Sequence, residues 1–393
     1  MVDPCRQTGR KSLILGTAVF ALALVAPADG QAACVTRLDP LLAPFATFLC
    51  DVTSQANGVN ATLNTLNTAF STQSSAFVAG PLGDKPDSTG GGLWTRFVAG
   101  RTDIGSTGSL SATSALPPGL FSVSADSRTR LEFAGFQVGA DFARININNS
   151  GWTINLGATG GYVSSEGRER EQSLFLTSAR GRYEVPFFGL YATFIGGNFF
   201  ADVQVRWDFF NMQASEGLIG PSVSTNFDAG AVSLSSSVGY KIELGSQFFI
   251  EPSAGFVYSV LNIDDLPTLL GVQVFDEVKS LLGRAGVRVG TTIVTNNVAW
   301  QPFAIANVWH EFADASTSHF INPALTFPLD LSTSRVGTFG QFGIGIAGHV
   351  VNTGWFGYVR LDYRTGENVE GYGINAGLRY QWGENGSAIR VRY

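Results

Sequence analysis

The chain has 393 residues, of which only 14% are charged, well below the roughly one quarter of an ordinary soluble domain. A formal charge of −6 argues against a broad phosphate-binding surface, and so against nucleic acid as a partner. Glycine (47) and phenylalanine (30) are heavily used while methionine appears twice, a mixture that favours strands and tight turns over helices.

At the N-terminus, Arg6, Arg10 and Lys11 precede an apolar stretch from Leu13 to Ala26, and a Pro-containing segment ends at Gly30-Gln31-Ala32. This is the three-part layout of a secretory signal over residues 1–32, with cleavage expected after Ala32. The apolar part is too short for a transmembrane helix, and no later apolar run reaches the length of one, so any membrane crossing must use strands. Lipidation at Cys34 is the weaker reading, because Gln31-Ala32-Ala33 offers no large aliphatic residue ahead of the cysteine. Cys5 lies inside the signal, which leaves Cys34 and Cys50, an even number in an oxidising compartment. Joined, they would close a loop of roughly 15 residues and contribute about 3 kcal/mol; two free thiols are the alternative.

Residues 33–86 form a short segment rich in Asn, Thr, Ser and Ala. Within it Val52, Ala56, Val59, Leu63, Leu66, Phe70, Gln73 and Phe77 follow a 4-3-4-3 spacing, which predicts a helix over 52–79. Its other face carries Asn57, Asn60, Thr62, Asn64, Thr65, Asn67 and Thr68, an uncharged polar surface better suited to a wet, narrow space than to open solvent. Pro81 to Gly92 reads as a linker, and a second region is expected over 87–393.

From Gly91 the period becomes two. Strands are expected near 91–101, 130–144, 151–164, 183–195, 198–212, 229–244, 246–261, 281–294, 298–312, 335–350, 354–364 and 370–382, an even number of about 12, as a closed antiparallel membrane barrel requires. Short turns such as Gly196-Gly197 alternate with longer expected loops at 102–129, 165–182, 213–228, 262–280 and 313–334. The expected class is therefore all-β, a closed antiparallel transmembrane barrel with a short N-terminal helix.

The alternation separates two faces. Phe199, Ala201, Val203, Val205, Trp207 and Phe209 oppose Asp202, Gln204, Arg206 and Asp208, while Val232, Leu234 and Val238 oppose Ser233, Ser235, Lys241 and Glu243. Arginine at the lipid midplane costs about 2 to 4 kcal/mol, so Arg206, Arg284, Arg288 and Arg379 must all face inward. Trp94, Trp152, Trp300, Trp355, Tyr380 and Trp382 lie near strand ends and fit interfacial girdles.

Several segments resemble the autotransporter β-domain: Gly91-Gly92-Leu93-Trp94-Thr95-Arg96, Gly135 to Asp141, Phe249-Ile250-Glu251-Pro252, Gly283 to Arg288, Gln301 to Phe312, and the closing run Gly354 to Trp382. The resemblance implies a twelve-stranded barrel inserted by the outer-membrane assembly machinery after escort by periplasmic chaperones, through which a passenger crosses while a helix occupies the pore. Segment 52–79 stands in the position of that pore helix. With only 33–86 ahead of the barrel, translocation or anchoring of a short N-terminal segment is expected, with a stand-alone porin-like channel or a loop-displaying surface protein or adhesin as the alternative. Family members end on an aromatic, which makes Tyr380, Trp382 and Tyr393 the candidates for the C-terminal insertion signal.

Other motifs carry chemistry only in outline. Gly343 to Gly348 spells a dinucleotide fingerprint but lies inside a strand pattern, and His310-Glu311 opens a zinc-protease motif whose second histidine is replaced by Asp314. No catalytic residue, metal site or cofactor is expected. The candidate functional set is the lumen lining of Asp202, Gln204, Arg206, Asp208, Lys241, Glu243, Glu251, Arg284, Arg288, Arg360, Asp362, Arg364 and Arg379, read as an electrostatic wall that grips the pore segment or filters ions.

Overall fold

A computed structural model describes residues 43–71, 85–115, 118–169, 176–218, 223–245, 247–268, 271–295, 297–321, 329–351 and 353–383. The signal segment, Cys34, residues 72–79 of the expected helix and Tyr393 lie outside the described residues, and the side chain of Cys50 does too.

Twelve strands make the wall: β1 (Ser88–Ala115), β2 (Pro118–Ile145), β3 (Trp152–Glu169), β4 (Leu176–Gly196), β5 (Phe199–Leu218), β6 (Val223–Tyr240), β7 (Phe248–Ile263), β8 (Val278–Thr291), β9 (Val298–Glu311), β10 (Thr338–Val350), β11 (Trp355–Gly366) and β12 (Val369–Gly383). Each pairs antiparallel with its neighbour in sequence, and β12 returns to β1 in a ladder from Gly90↔Gly383 to Ile104↔Val369, so the sheet closes. Closure pairs the backbone of the first and last strands, which hydrocarbon demands and an open sheet could not meet. Tight turns join the strands at one end, as between β4 and β5, where Gly197 takes a φ of 57° that a side chain would strain.

The burial pattern is the reverse of a soluble sandwich. Leu93, Phe97, Phe142, Leu156, Leu190, Ile344 and Leu361 are exposed on the outside, while Arg96, Gln137, Asp208, Glu251 and Arg360 are buried within. A sandwich would hide the apolar set; an apolar exterior around a charged interior is stable only against lipid. Exposed Trp152, Tyr240, Phe248, Trp300, Trp355, Tyr380 and Trp382 ring the short-turn end, where amphipathic rings match the interface. Trp94 does not belong to that girdle. Leu93 takes the outward position, so parity sends Trp94 into the lumen, where its Nε1 donates to Tyr191 Oη at 2.7 Å and its ring fills the space left by Gly139.

The expected long loops are largely strand. β1 and β2 run as one continuous ladder to Ala115↔Pro118, straight through 102–129. Segment 262–280 holds the hairpin Leu266–Thr268/Gly271–Phe275 and 313–334 holds Ser316–Ile321/Leu329–Thr333. Ser, Thr and Gly made these stretches read as loop, but outside the lipid a ladder needs paired backbone rather than an apolar face. The two hairpins pair with each other through Val272↔Ile321 and with β1 through Gly108↔Thr333, extending the wall above the shorter strands.

Among the described residues there is one α-helix, α1 (Ala43–Ser71), which carries 29 residues and so spans about 43 Å. It begins ahead of the expected Val52: Phe45, Phe48 and Leu49 continue the i, i+3, i+4 stripe, and Pro44 sits in the first turn, where its missing N–H costs little.

Candidate functional site

The lumen is the site, and α1 fills it. Val59, Leu63, Leu66 and Phe70 are buried, but so are Asn57, Thr62, Asn64, Thr65, Asn67 and Thr68 on the opposite face. A helix enclosed all round must have its side-chain dipoles answered: the wall meets Asn57, Asn60 and Asn67, Thr62 and Thr68 donate to carbonyls of the helix itself, and Asn64 Nδ2 and Thr65 Oγ1 find no partner among the described residues.

Toward the long-loop end, Asn57 Nδ2 donates to Ile104 O (3.0 Å) and Thr129 Oγ1 (3.1 Å), and Asn60 Nδ2 donates to Ser316 Oγ at 2.9 Å. Arg335 Nη1 donates back to Asn60 Oδ1 at 2.9 Å. Midway, Asn67 Nδ2 donates to Ser259 Oγ and its Oδ1 accepts from Arg206 Nη2, both at 2.9 Å. At the last turn, where carbonyls lack helical partners, Phe70 O accepts from Arg96 Nη2 at 2.8 Å and Ala69 O from Asn375 Nδ2 at 3.2 Å. Arg96 also lies 5.1 Å over the Phe70 ring, which packs 5.3 Å from Phe187. Small side chains set the fit: Tyr183 Oη lies where a Cβ on Gly58 would be, and the same ring covers Gly181.

The expected lining residues fall into separate ion pairs rather than one centre. Arg206 Nε pairs with Asp208 at 2.6 Å and Arg360 Nε with Asp362 at 2.9 Å, each two residues apart on one strand face. Arg288 pairs with Glu251, its register partner on β7, at 2.6 Å. Arg284 donates to Ser253 (3.1 Å) and Asn307 (3.2 Å), and Asp202 accepts from Ser237 at 2.6 Å. Gln204 and Arg364 are buried in the same wall. Glu243 is a correction: it is exposed at the short-turn rim, where Lys241 meets it at 3.4 Å. Both keep inward parity, but they stand at the short-turn rim of the lumen, level with the aromatic girdle that includes Phe248.

Arg379 Nη2 reaches Asp141 at 2.8 Å although β12 and β2 are not neighbours. It passes over β1 at Gly92, where a Cβ would lie 2.8 Å from Nη2. Tyr191 Oη donates to the same carboxylate at 2.7 Å, so Trp94, Tyr191, Asp141 and Arg379 form one chain across the seam. Arg96, Asp141, Ser259, Arg335 and Asn375 were absent from the expected set. Parity applied to β1, β2 and β12 points to Arg96, Asp141 and Asn375, whereas nothing local marks Ser259 or Arg335 as helix contacts.

Gly343 and Gly345 lie in β10 beside Asp362 and Phe303, and among the described residues no group of three His, Cys, Asp or Glu gathers as metal ligands.

A closed barrel with an apolar exterior, a charged lumen and a helix through it defines a β-barrel of the outer membrane. The family model for the autotransporter β-domain matches residues 93–362, and the chain belongs to that family. The fold is shared with the transport unit of the autotransporter AIDA-I from Escherichia coli, at 16% identity over 82% of this chain and 98% of that one (TM-score 0.59). It is shared too with the β domain of the Bordetella autotransporter BrkA, at 19% identity over 74% and 98% (TM-score 0.52). The translocator domain of NalP from Neisseria meningitidis aligns at 14% identity over 85% and 99% (TM-score 0.50). No curated protein sequence matches the chain.

Proposed function

We propose that this barrel carries its own N-terminal segment across the outer membrane and then anchors it at the cell surface, with α1 as the retained plug. The observation that carries this reading is the direction of the helix. Asn57 and Asn60 lie by the long-loop end, Ala69 and Phe70 lie deeper against Arg96 and Asn375, and β1 then starts at the short-turn end. With the short turns toward the periplasm, the C-terminal end of α1 lies on the periplasmic side and its N-terminal end points toward the cell exterior. The wall grips the helix by hydrogen bonds from Asn57 to Phe70, which favours a held plug over an open channel. The barrel works with lipid and with the assembly machinery and periplasmic chaperones that insert it, after export by the signal segment, and it performs no catalysis of its own.

An epitope placed between Ala33 and Asp39 tests this. Antibody labelling of that epitope on intact cells is the expected result, and labelling only after the outer membrane is permeabilised overturns the reading.

A further inference from the structure

We infer that the outer wall of β1–β4 binds the phosphorylated headgroup of a glycolipid in the outer leaflet. The apolar belt on this side ends at Phe97, Phe136 and Tyr162, which are register partners across β1, β2 and β3. Above it the outward positions turn ionic. Four residues higher, Arg101, Glu132, Glu166 and Arg182 form one register row, and six residues higher Asp103 is followed by Arg130, Arg168 and Arg180 side by side.

Three arginines directly opposed across adjacent strands repel one another. Asp103 meets Arg130 at 3.0 Å and Glu166 meets Arg168 at 3.0 Å. Arg182 meets Glu184, two residues nearer the belt, at 3.0 Å, and Arg101 lies 3.8 Å from Asp103. These carboxylates soften the repulsion without balancing it, because five guanidinium groups face four carboxylates and, among the described residues, the three adjacent arginines of the upper row share only Asp103 and Glu166. Such a surplus, on a flat ladder with strands about 4.8 Å apart, presents forked donors matched to phosphate oxygens. Arg168 keeps 54% of its side-chain surface exposed, and Arg180 is exposed as well.

Height selects the kind of anion. With about 3.3 Å per residue and a tilt of about 40°, the two rows stand about 10 and 15 Å above the belt. A phospholipid headgroup layer is only about 5–7 Å deep, so these rows meet phosphate carried on a sugar rather than on glycerol. The surface is also one-sided, since the outward charges at this height on β6 and just beyond β7 are Asp228 and Asp264.

Native mass spectrometry of the full chain in detergent, titrated with diphosphorylated lipid A, dephosphorylated lipid A or phosphatidylglycerol, tests the site. Retention of diphosphorylated lipid A is expected, at least tenfold weaker for the Arg168→Gln/Arg180→Gln variant and for the dephosphorylated form. Glu166→Gln, which frees Arg168, should tighten binding severalfold and keeps the test open if the double variant fails to fold. Equal binding of the phosphorylated and dephosphorylated lipids, binding of phosphatidylglycerol as tight as that of lipid A, or no response to either variant overturns the inference.

Discussion

Arg379 donates to Asp141 at 2.8 Å across the backbone of Gly92, so that one ion pair straddles the strand between them and clasps the barrel where its first and last strands meet. The Asp141 side chain is fully buried and the Arg379 side chain is 4% exposed, so neither charge has water to fall back on.

Removing one partner of a buried pair strands the other, at a cost of about 3–5 kcal/mol. Arg379→Ala is therefore expected to lower the urea midpoint of the folded barrel markedly, and Gly92→Leu to do the same by pushing the guanidinium aside. Arg379→Ala/Asp141→Ala should cost less than the sum of its two single changes. Additive losses would show that the pair does not couple across the seam.

Gly58 faces Tyr183 with no room for a Cβ. Gly58→Leu is expected to unseat α1 and expose it to trypsin or proteinase K, while the added Tyr183→Ala restores protection. Limited proteolysis of the detergent-solubilised barrel reads this directly; protection unchanged in Gly58→Leu would mean that the helix does not pack there.

The lumen without its plug should conduct. Among the described residues seven arginines are buried against four buried carboxylates, and they remain in excess when the half-buried Asp202 and Asp362 are added. A rigid positive wall favours anions. Deletion of residues 43–71 is expected to raise single-channel conductance in planar bilayers severalfold, with an anion-selective reversal potential under a salt gradient. A cation-selective pore would contradict the charge placement.

Tyr380 and Trp382 face outward at the short-turn rim, and Tyr380 packs 4.9 Å from Trp355. Aromatic pairs of this kind contribute about 0.5–1.5 kcal/mol, and rings at the interface help a strand seat itself. Trp382→Ala/Tyr380→Ala is expected to slow insertion into liposomes severalfold by heat-modifiability on gels, whereas truncation after Gly383 leaves it unchanged. A truncated chain that fails to insert would move the insertion signal to the tail that contains Tyr393.

Much of the wall was legible in sequence because period two is enforced by lipid. A shift of one residue would expose Arg206 or Arg288 to hydrocarbon, so the polar parity of β5 and β8 shows in the residues themselves. Beyond the lipid that pressure ends. There the alternation of 102–129 fades into Ser, Thr and Gly and reads as loop, while the continuous backbone ladder from β1 to β2 persists unseen. Trp94 misled for a related reason: an aromatic near a strand end suits the interface, and only its neighbour Leu93 shows which way the strand is turned.

Residue pattern by itself determined the class of fold, the inward charges and the helix ahead of the barrel, since each follows from a local period read against one solvent. Tertiary structure alone decided which wall groups meet which turn of α1, that Arg379 crosses β1 to Asp141, and that two distant hairpins complete the upper rim. Those relations depend on closure, which brings together residues hundreds of positions apart, and nothing in a local period records where a sheet will meet itself.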